Sequence, residues 1–227
     1  MPSSSDLKIA PSILSADFAR LGEQIAEAEK GGADYIHIDV MDGCFVPNLT
    51  IGPTVVKSLR PWTKLPFDVH LMVVEPERFI ADFVEAGANI VTVHSEACDN
   101  LSEVLGQIRK LGARAGFALN PDTTVDSIHD ALPYTDFILV MTVHPGFPAQ
   151  SFIESVVPKI DQIRQLLDTM DSKAELAVDG GINQNTAAKV ADAGARVLVA
   201  GSAIYNAKEG IQAAIAQIRE NAELGRK

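Results

Sequence analysis

Short runs rich in β-branched and other apolar residues alternate along the chain with longer runs whose apolar residues recur at helical spacing. The short runs predict strands over Lys8–Leu14, Asp34–Val40, Pro66–Met72, Asn89–His94, Arg114–Leu119, Thr135–Val143, Ala174–Val178 and Arg196–Ala200. The longer runs predict helices over Phe18–Lys30, Pro76–Ala86, Leu101–Leu111, Ser151–Met170, Thr186–Ala193 and Gly210–Glu223. This alternation predicts an α/β fold, a (β/α)8 TIM barrel that forms a single domain over residues 1–227.

A doubly wound open sheet is the main alternative fold. Such a sheet normally has fewer strands, and no Gly-x-Gly-x-x-Gly follows the first predicted strand. The closed barrel is therefore the favoured prediction.

Composition and charge narrow the classes of partner. The formal net charge is −11 and no Lys/Arg cluster is present, which argues against nucleic acid and anionic membranes. Cys44 and Cys98 alone cannot make a disulfide framework. The polar segment Met1–Lys8 lacks the apolar stretch of a signal peptide, and no apolar run is long enough to cross a bilayer. We therefore expect a cytoplasmic protein with a small-molecule partner and no nucleic-acid or membrane partner.

Polar side chains occupy alternate positions in two neighbouring predicted strands. His37 and Asp39 share one face of the second strand, and Asp68 and His70 share one face of the third. A further carboxylate, Asp179, follows the seventh strand. The carboxyl ends of barrel strands build the active-site rim, so we expect these groups to meet there.

Two imidazoles and two carboxylates on one pore are costly to bury unless they pair or bind a cation. We predict that His37, Asp39, His70 and Asp179 hold one divalent metal ion; a mixed N/O donor set suits Zn, Fe, Mn or Co and leaves the identity open. The alternative for each histidine is an ordinary hydrogen-bonded structural role.

Glycine-rich segments after the last strands suggest a phosphate site. Gly180-Gly181 follows strand seven and Gly201-Ser202 follows strand eight, where barrels often bind phosphate on backbone N–H groups. The loop after strand six, which contains Gly146, can close over the same anion. The alternative is that these glycines only allow tight turns.

Three methionines, Met41, Met72 and Met141, end apolar strands near the predicted rim. They are either core filler or a water-excluding cover over a reactive intermediate. Two carboxylates beside a cation suit proton abstraction next to a ketone, with one acid removing a proton and the other returning it on the opposite face. The predicted reaction is inversion at that carbon.

Several segments of the chain match the pattern of one known family: Ala10–Phe18 (APSILSADF), His37–Gly43 (HIDVMDG), Phe45–Asn48 (FVPN), Asp68–Met72 (DVHLM), Met141–Val143 (MTV), Pro145–Phe147 (PGF) and Val178–Ile182 (VDGGI). In these segments the chain resembles the ribulose-phosphate 3-epimerase family nearly end to end. Their order along the chain is the family order.

The resemblance implies an isomerase of carbohydrate metabolism that converts D-ribulose 5-phosphate to D-xylulose 5-phosphate in the pentose phosphate pathway, through a metal-stabilised enediolate. It implies that Asp39 and Asp179 are the catalytic acid–base pair, that Ser12 and His70 touch substrate, and that the methionines shield the intermediate. It places phosphate on backbone groups of Gly146, Phe147, Pro148, Ala149, Gly180, Gly181, Gly201 and Ser202.

One departure from the family pattern falls in the phosphate loop. The family reads Pro-Gly-Phe-Gly-Gly-Gln, whereas this chain has Pro148 and Ala149 at the two later glycine positions. Pro148 has no N–H to donate, and we expect Ala149 to resist a left-handed conformation. The preference for a pentulose over a hexulose phosphate therefore stays open.

Two other functions remain as alternatives: an allulose-6-phosphate 3-epimerase, and a non-catalytic sugar-phosphate-binding protein. Apolar positions on the outer helices suggest a homo-oligomer. We assign no more than supporting or structural roles to His94, His144 and Cys98, and expect His129 to be solvated.

Overall fold

The computed structural model describes residues 7–226 of the chain. Its strands are β1 (Lys8–Pro11), β2 (Ile36–Met41), β3 (Phe67–Met72), β4 (Ile90–His94), β5 (Arg114–Leu119), β6 (Phe137–Met141), β7 (Glu175–Asp179) and β8 (Val197–Ala200). All neighbouring strands pair in parallel, in the order β1-β8-β7-β6-β5-β4-β3-β2. A parallel bridge between Ser12 and His37 joins the two ends. The predicted (β/α)8 TIM barrel is confirmed.

Helices follow the strands on the outside of the barrel. They are α1 (Leu21–Lys30), α2 (Pro53–Leu59), α3 (Ile80–Glu85), α4 (Leu101–Lys110), α5 (Val157–Thr169), α6 (Ala187–Asp192), α7 (Ser202–Tyr205) and α8 (Ile211–Leu224). A 3-10 segment, Val125–Tyr134, takes the place of a helix between β5 and β6. Within residues 7–226, no helix is both long and apolar enough to cross a membrane.

The predicted boundaries were wrong at several element ends. The first strand stops at Pro11 instead of Leu14, because the Ser12 hydroxyl accepts a hydrogen bond from the Leu14 N–H and starts a 3-10 turn. Strand β7 runs one residue further than predicted and includes Asp179, which pairs with Met141 of β6. Helix α2 was not predicted at all, since its seven residues carry only a short apolar pattern.

Side chains of each strand alternate between two apolar layers. One layer lies between the sheet and the helices and includes Ile36, Ile38 and Val40 of β2. The other fills the barrel interior and includes Phe137 and Leu139 of β6. This alternation places His37 and Asp39 on the interior face, as the period-two pattern predicted.

A polar network lies at the end of the barrel where the strands begin. Glu175 of β7 accepts hydrogen bonds from Lys8 of β1, from Tyr35 just before β2 and from Arg114 of β5. These ion pairs and hydrogen bonds satisfy the interior polar groups at that end. The opposite end, where the strands finish, is left for the candidate site.

Candidate active site

The four side chains predicted to bind metal meet at the carboxyl ends of the strands. One ligand atom from each of His37, Asp39, His70 and Asp179 lies within 4.8 Å of the other three. Asp39 is directly opposite His70 in the β2–β3 register. Asp179 reaches the group from β7, three strands from β2 by way of β1 and β8. The structure therefore brings together all four residues that the sequence singled out.

His37 has one nitrogen committed and one unpartnered. Its Nδ1 lies 2.7 Å from Asp68 Oδ2, and the Thr92 hydroxyl donates to Asp68 Oδ1 at 3.2 Å. Its Nε2 is buried and, among the described residues, has no hydrogen-bond partner, although Asp39 Oδ1 lies 3.3 Å away. Burial opposes charge on this ring, but Asp39 and Asp68 raise the pKa of His37 well above its usual value. A bound cation would replace that proton on Nε2.

Asp39 is surrounded by hydrogen-bonding groups. The Ser12 hydroxyl donates to Oδ2 at 2.5 Å, and His70 Nδ1 lies 3.1 Å from Oδ1. Burial by itself would raise the pKa of Asp39, but the positive charge of His37 and the neighbouring His70 imidazole outweigh it and lower the pKa. This carboxylate is therefore held in its ionised form.

Asp179 occupies a different environment from Asp39. Its side chain is 16% exposed, and the nearest imidazole nitrogen, His37 Nε2, is 3.9 Å from Oδ2. Burial and repulsion from the Asp39 carboxylate raise the pKa of Asp179 to about 7. The unpartnered nitrogen, the crowded carboxylates and the mixed N/O donors fit a divalent cation.

His70 connects the cluster to residues that the sequence did not place in the site. Its Nε2 lies 2.9 Å from His94 Nε2, and His94 Nδ1 lies 3.1 Å from Glu96 Oε2. The ring of Phe45 covers His94, with ring centroids 4.8 Å apart. We expected only a supporting or structural role for His94, and Glu96 was missed. The signal was available in β4, where Thr92 and His94 alternate like the polar pairs of β2 and β3.

A cavity of about 340 Å³ opens above the four candidate ligands. The predicted catalytic and substrate-binding residues that line it are Ser12, Asp39, Met41, Met72, Met141, Gly146, Phe147, Pro148, Ala149, Asp179, Gly180, Gly181, Gly201 and Ser202. His37 and His70 are fully buried and do not line the cavity. Direct contact between His70 and substrate stays a prediction.

The three methionines both pack in the interior and face the cavity. Met41 and Met72 form a rim cluster with Val46, and Met141 belongs to the barrel interior. Each is at most 3% exposed, yet each lines the cavity wall. The two interpretations offered for these residues are therefore compatible.

Hydrogen bonds from Asn48 and Gln150 hold the loop after β6 in place. Asn48 Nδ2 donates to the Gly146 carbonyl at 2.8 Å, and Gln150 Nε2 donates to the His144 and Phe147 carbonyls at 2.6 and 2.9 Å. Ala149 has φ = 59°, so the loop holds this residue in the left-handed region that its side chain disfavours. The hydrogen bonds made by Gln150 hold the loop in this shape.

The Gly180-Gly181 pair is required by close packing. Gly181 has φ = 65°, and a Cβ at this position would lie 2.6 Å from the backbone nitrogen of Phe152. Packing alone is therefore enough to require glycine at position 181, and phosphate binding at this wall stays a prediction. Away from this wall, His129 and His144 are exposed and Cys98 is half-buried.

Members of one protein family match nearly the whole chain in sequence. A family model described as the ribulose-phosphate 3 epimerase family matches residues 8–205. The ribulose-phosphate 3-epimerase of Bacillus subtilis is 53% identical over 214 residues, which cover 94% of this chain and 98% of that protein. The chloroplastic ribulose-5-phosphate-3-epimerase of Arabidopsis thaliana is 52% identical, over 93% of this chain and 76% of that protein.

Solved structures with low sequence identity share the fold. A mutant tryptophan synthase α-subunit from Pyrococcus furiosus aligns with a TM-score of 0.66 at 15% identity, over 96% of this chain and 97% of that one. Thiamine phosphate pyrophosphorylase from Pyrococcus furiosus aligns with a TM-score of 0.63 at 18% identity, over 96% of each chain. The family match and the 53% identity carry the assignment: this chain belongs to the ribulose-phosphate 3-epimerase family.

Proposed function

We propose that the protein interconverts D-ribulose 5-phosphate and D-xylulose 5-phosphate by moving a proton on and off C3, as a step of pentose phosphate metabolism. The observation that carries the proposal is the placement of Asp39 and Asp179 on strands three apart, both facing one cavity. Near-end-to-end similarity to proteins named ribulose-phosphate 3-epimerase supports the choice of substrate.

Two opposed carboxylates can invert a carbon centre that lies between them. Asp39 removes the C3 proton from one face of the bound ketose, and Asp179 delivers a proton to the other face. In the reverse direction the two residues exchange roles. Ser12 donates to Asp39 and so orients the carboxylate toward the cavity.

His37, Asp39, His70 and Asp179 would hold the divalent cation, which when bound supplies the positive charge that stabilises the enediolate. Zn, Fe, Mn and Co all suit this donor set. The buried Met41, Met72 and Met141 keep water from the reacting carbon, which protects the intermediate from unwanted protonation.

The phosphate end of the substrate fits the glycine-containing side of the cavity. Gly180, Gly181, Gly201 and Ser202 line this cavity together with the loop Gly146–Ala149. Anchoring the phosphate there sets the distance from the two carboxylates to C3. Since Pro148 offers no N–H, this loop has fewer N–H donors for the phosphate than the family's Pro-Gly-Phe-Gly-Gly-Gln loop.

The deciding experiment follows exchange of the C3 hydrogen of D-ribulose 5-phosphate in deuterated water by NMR, together with formation of D-xylulose 5-phosphate. We expect Asp39→Asn and Asp179→Asn each to lower kcat by about 10²- to 10⁴-fold while the circular dichroism spectrum is unchanged. Asp122→Asn is the control, because Asp122 lies on the surface with its side chain 89% exposed.

Four outcomes would count against the proposal. No C3 exchange in the metal-loaded wild-type protein would favour a binding protein over an enzyme. Faster turnover of D-allulose 6-phosphate would transfer the activity to a hexulose phosphate. Full activity in either carboxylate variant would remove its proton-transfer role. Activity that survives complete removal of metal by a chelator would exclude the cation from the reaction.

We also propose that the whole chain, residues 1–227, acts as one catalytic domain in the cytoplasm and assembles with copies of itself. Residues 1–6 and 227 of that predicted domain lie outside the described residues. Exposed Phe18 and Trp62, each about half accessible, support a self-association surface. Light scattering coupled to size-exclusion chromatography tests the assembly, and a monomer at all concentrations would exclude it.

A further inference from the structure

A chain of hydrogen-bonding groups runs from the candidate cation site to the segment after β4. It passes from His70 through His94 to Glu96, with heavy-atom distances of 2.9 and 3.1 Å. Both imidazoles are fully buried, and the side chain of Glu96 is 24% exposed. We propose that Glu96, acting through His94, fixes the tautomer of His70 so that its Nδ1 presents a lone pair to the cation. This inference rests on the proposed function, which includes that cation.

The Glu96 end of the chain can only accept hydrogen bonds. Its Oε1 accepts from the Asn120 backbone N–H at 2.8 Å and from the Thr123 hydroxyl. Burial opposes ionisation, but hydrogen bonds from His94, Thr123 and Asn120 hold the pKa of Glu96 at about 2. An ionised carboxylate has no proton to donate, so the proton between Glu96 and His94 must sit on His94 Nδ1.

The direction set by Glu96 is passed along both rings. A buried neutral imidazole carries one N–H and one lone pair, so a proton on His94 Nδ1 leaves Nε2 as an acceptor. His70 Nε2 must then donate to His94, and His70 Nδ1 keeps its lone pair. That nitrogen lies 3.1 Å from Asp39 Oδ1.

Two acceptors that face each other at this distance repel unless a cation lies beside both. The opposite tautomers would let His70 donate to Asp39, but they would set the His94 lone pair against the Glu96 carboxylate. Every polar atom from Asp39 to Glu96 therefore has a partner only when a cation is bound next to His70 and Asp39. His94 and Glu96 are positioning residues, since neither lines the cavity.

Glu96→Gln reverses this chain without removing a side chain. The Asn120 N–H requires an oxygen at the Oε1 position, so the amide NH₂ must face His94. His94 then accepts at Nδ1 and donates from Nε2, and His70 is driven to place its proton on Nδ1. We expect the affinity of the metal-free protein for Co²⁺, measured by competition with a chromophoric chelator, to fall about tenfold to a hundredfold.

Two further variants separate a directing role from a structural one. Glu96→Ala removes the directing group without reversing it, so its loss of Co²⁺ affinity should be smaller than that of Glu96→Gln. A purely structural role predicts the opposite ranking, because alanine loses more contacts than glutamine. Glu77→Gln is the control, since Glu77 is exposed on the β3–α3 connection and carries the same charge; its Co²⁺ affinity should equal that of wild type.

The tautomers can also be observed in the wild-type protein. Long-range ¹H–¹⁵N NMR spectra of the Zn²⁺-loaded protein should place the proton of His94 on Nδ1 and that of His70 on Nε2. A His94 proton on Nε2 would overturn the proposal. So would Co²⁺ binding by Glu96→Gln equal to that of Glu77→Gln, or no Co²⁺ binding by wild type. Absence of sugar-phosphate turnover, measured separately, would count against the proposed function alone.

Discussion

The left-handed backbone of Ala149 gives a prediction with a definite sign. Ala149 is exposed on the loop after β6 and has φ = 59°, a conformation in which its Cβ crowds the backbone. This conformation costs a non-glycine residue about 1–2 kcal/mol. Replacing it with glycine removes that cost, while the greater freedom of glycine in the unfolded chain offsets about 0.4–1 kcal/mol of the gain. We expect Ala149→Gly to raise the free energy of unfolding by roughly 0.5–1 kcal/mol.

Ala19→Gly is the matched control. Ala19 is also exposed, but its φ is negative, and its N–H bond to Asp17 does not depend on the side chain. Glycine there adds only unfolded-state freedom, so the free energy of unfolding should fall by about 0.5–1 kcal/mol. The two alanine-to-glycine changes should therefore have opposite signs.

Urea unfolding at equilibrium, followed by far-UV circular dichroism, measures both changes. At unchanged slope, the unfolding midpoint should move up for Ala149→Gly and down for Ala19→Gly. A midpoint that falls in both variants would show that the left-handed conformation of Ala149 carries no strain. The reasoning about this loop would then be refuted.

Three other predictions concern single positions. Burial raises the pKa of Cys98 to about 12, so only about one thiol in ten thousand is ionised at pH 8; iodoacetamide followed by mass spectrometry should modify exposed Cys44 and spare Cys98. Gly181→Ala places a Cβ against the Phe152 backbone, so it should lower the free energy of unfolding by at least about 1 kcal/mol. It should also raise KM for the sugar phosphate, and an unchanged KM would contradict the place of Gly181 in the cavity wall. Burial opposes ionisation of Glu175, but hydrogen bonding from Lys8 and the charge of Arg114 lower its pKa. The stabilisation is thus present above the usual glutamate pKa and is lost on acidification. The difference in free energy of unfolding between wild type and Glu175→Gln should therefore shrink as pH falls, and a constant difference would refute this prediction.

The sequence alone was enough to predict the barrel and the main polar cluster. Alternation with a period of two is a local property, so His37, Asp39 and His70 could be assigned to interior faces without coordinates. Asp179 could be placed at the same rim because the strands of a barrel all finish on one side. The resemblance to the epimerase family was then confirmed by the family match over residues 8–205.

Tertiary structure decided the contacts between elements and the backbone of the loops. The 2.9 Å contact between His70 and His94 joins two separate strands, and no spacing along the chain determines that distance. Ala149 adopts a conformation that its side chain disfavours, because Gln150 holds the surrounding loop through carbonyl hydrogen bonds. Local patterns set which face a residue occupies; closure of the sheet and packing of its loops set which residues on that face touch.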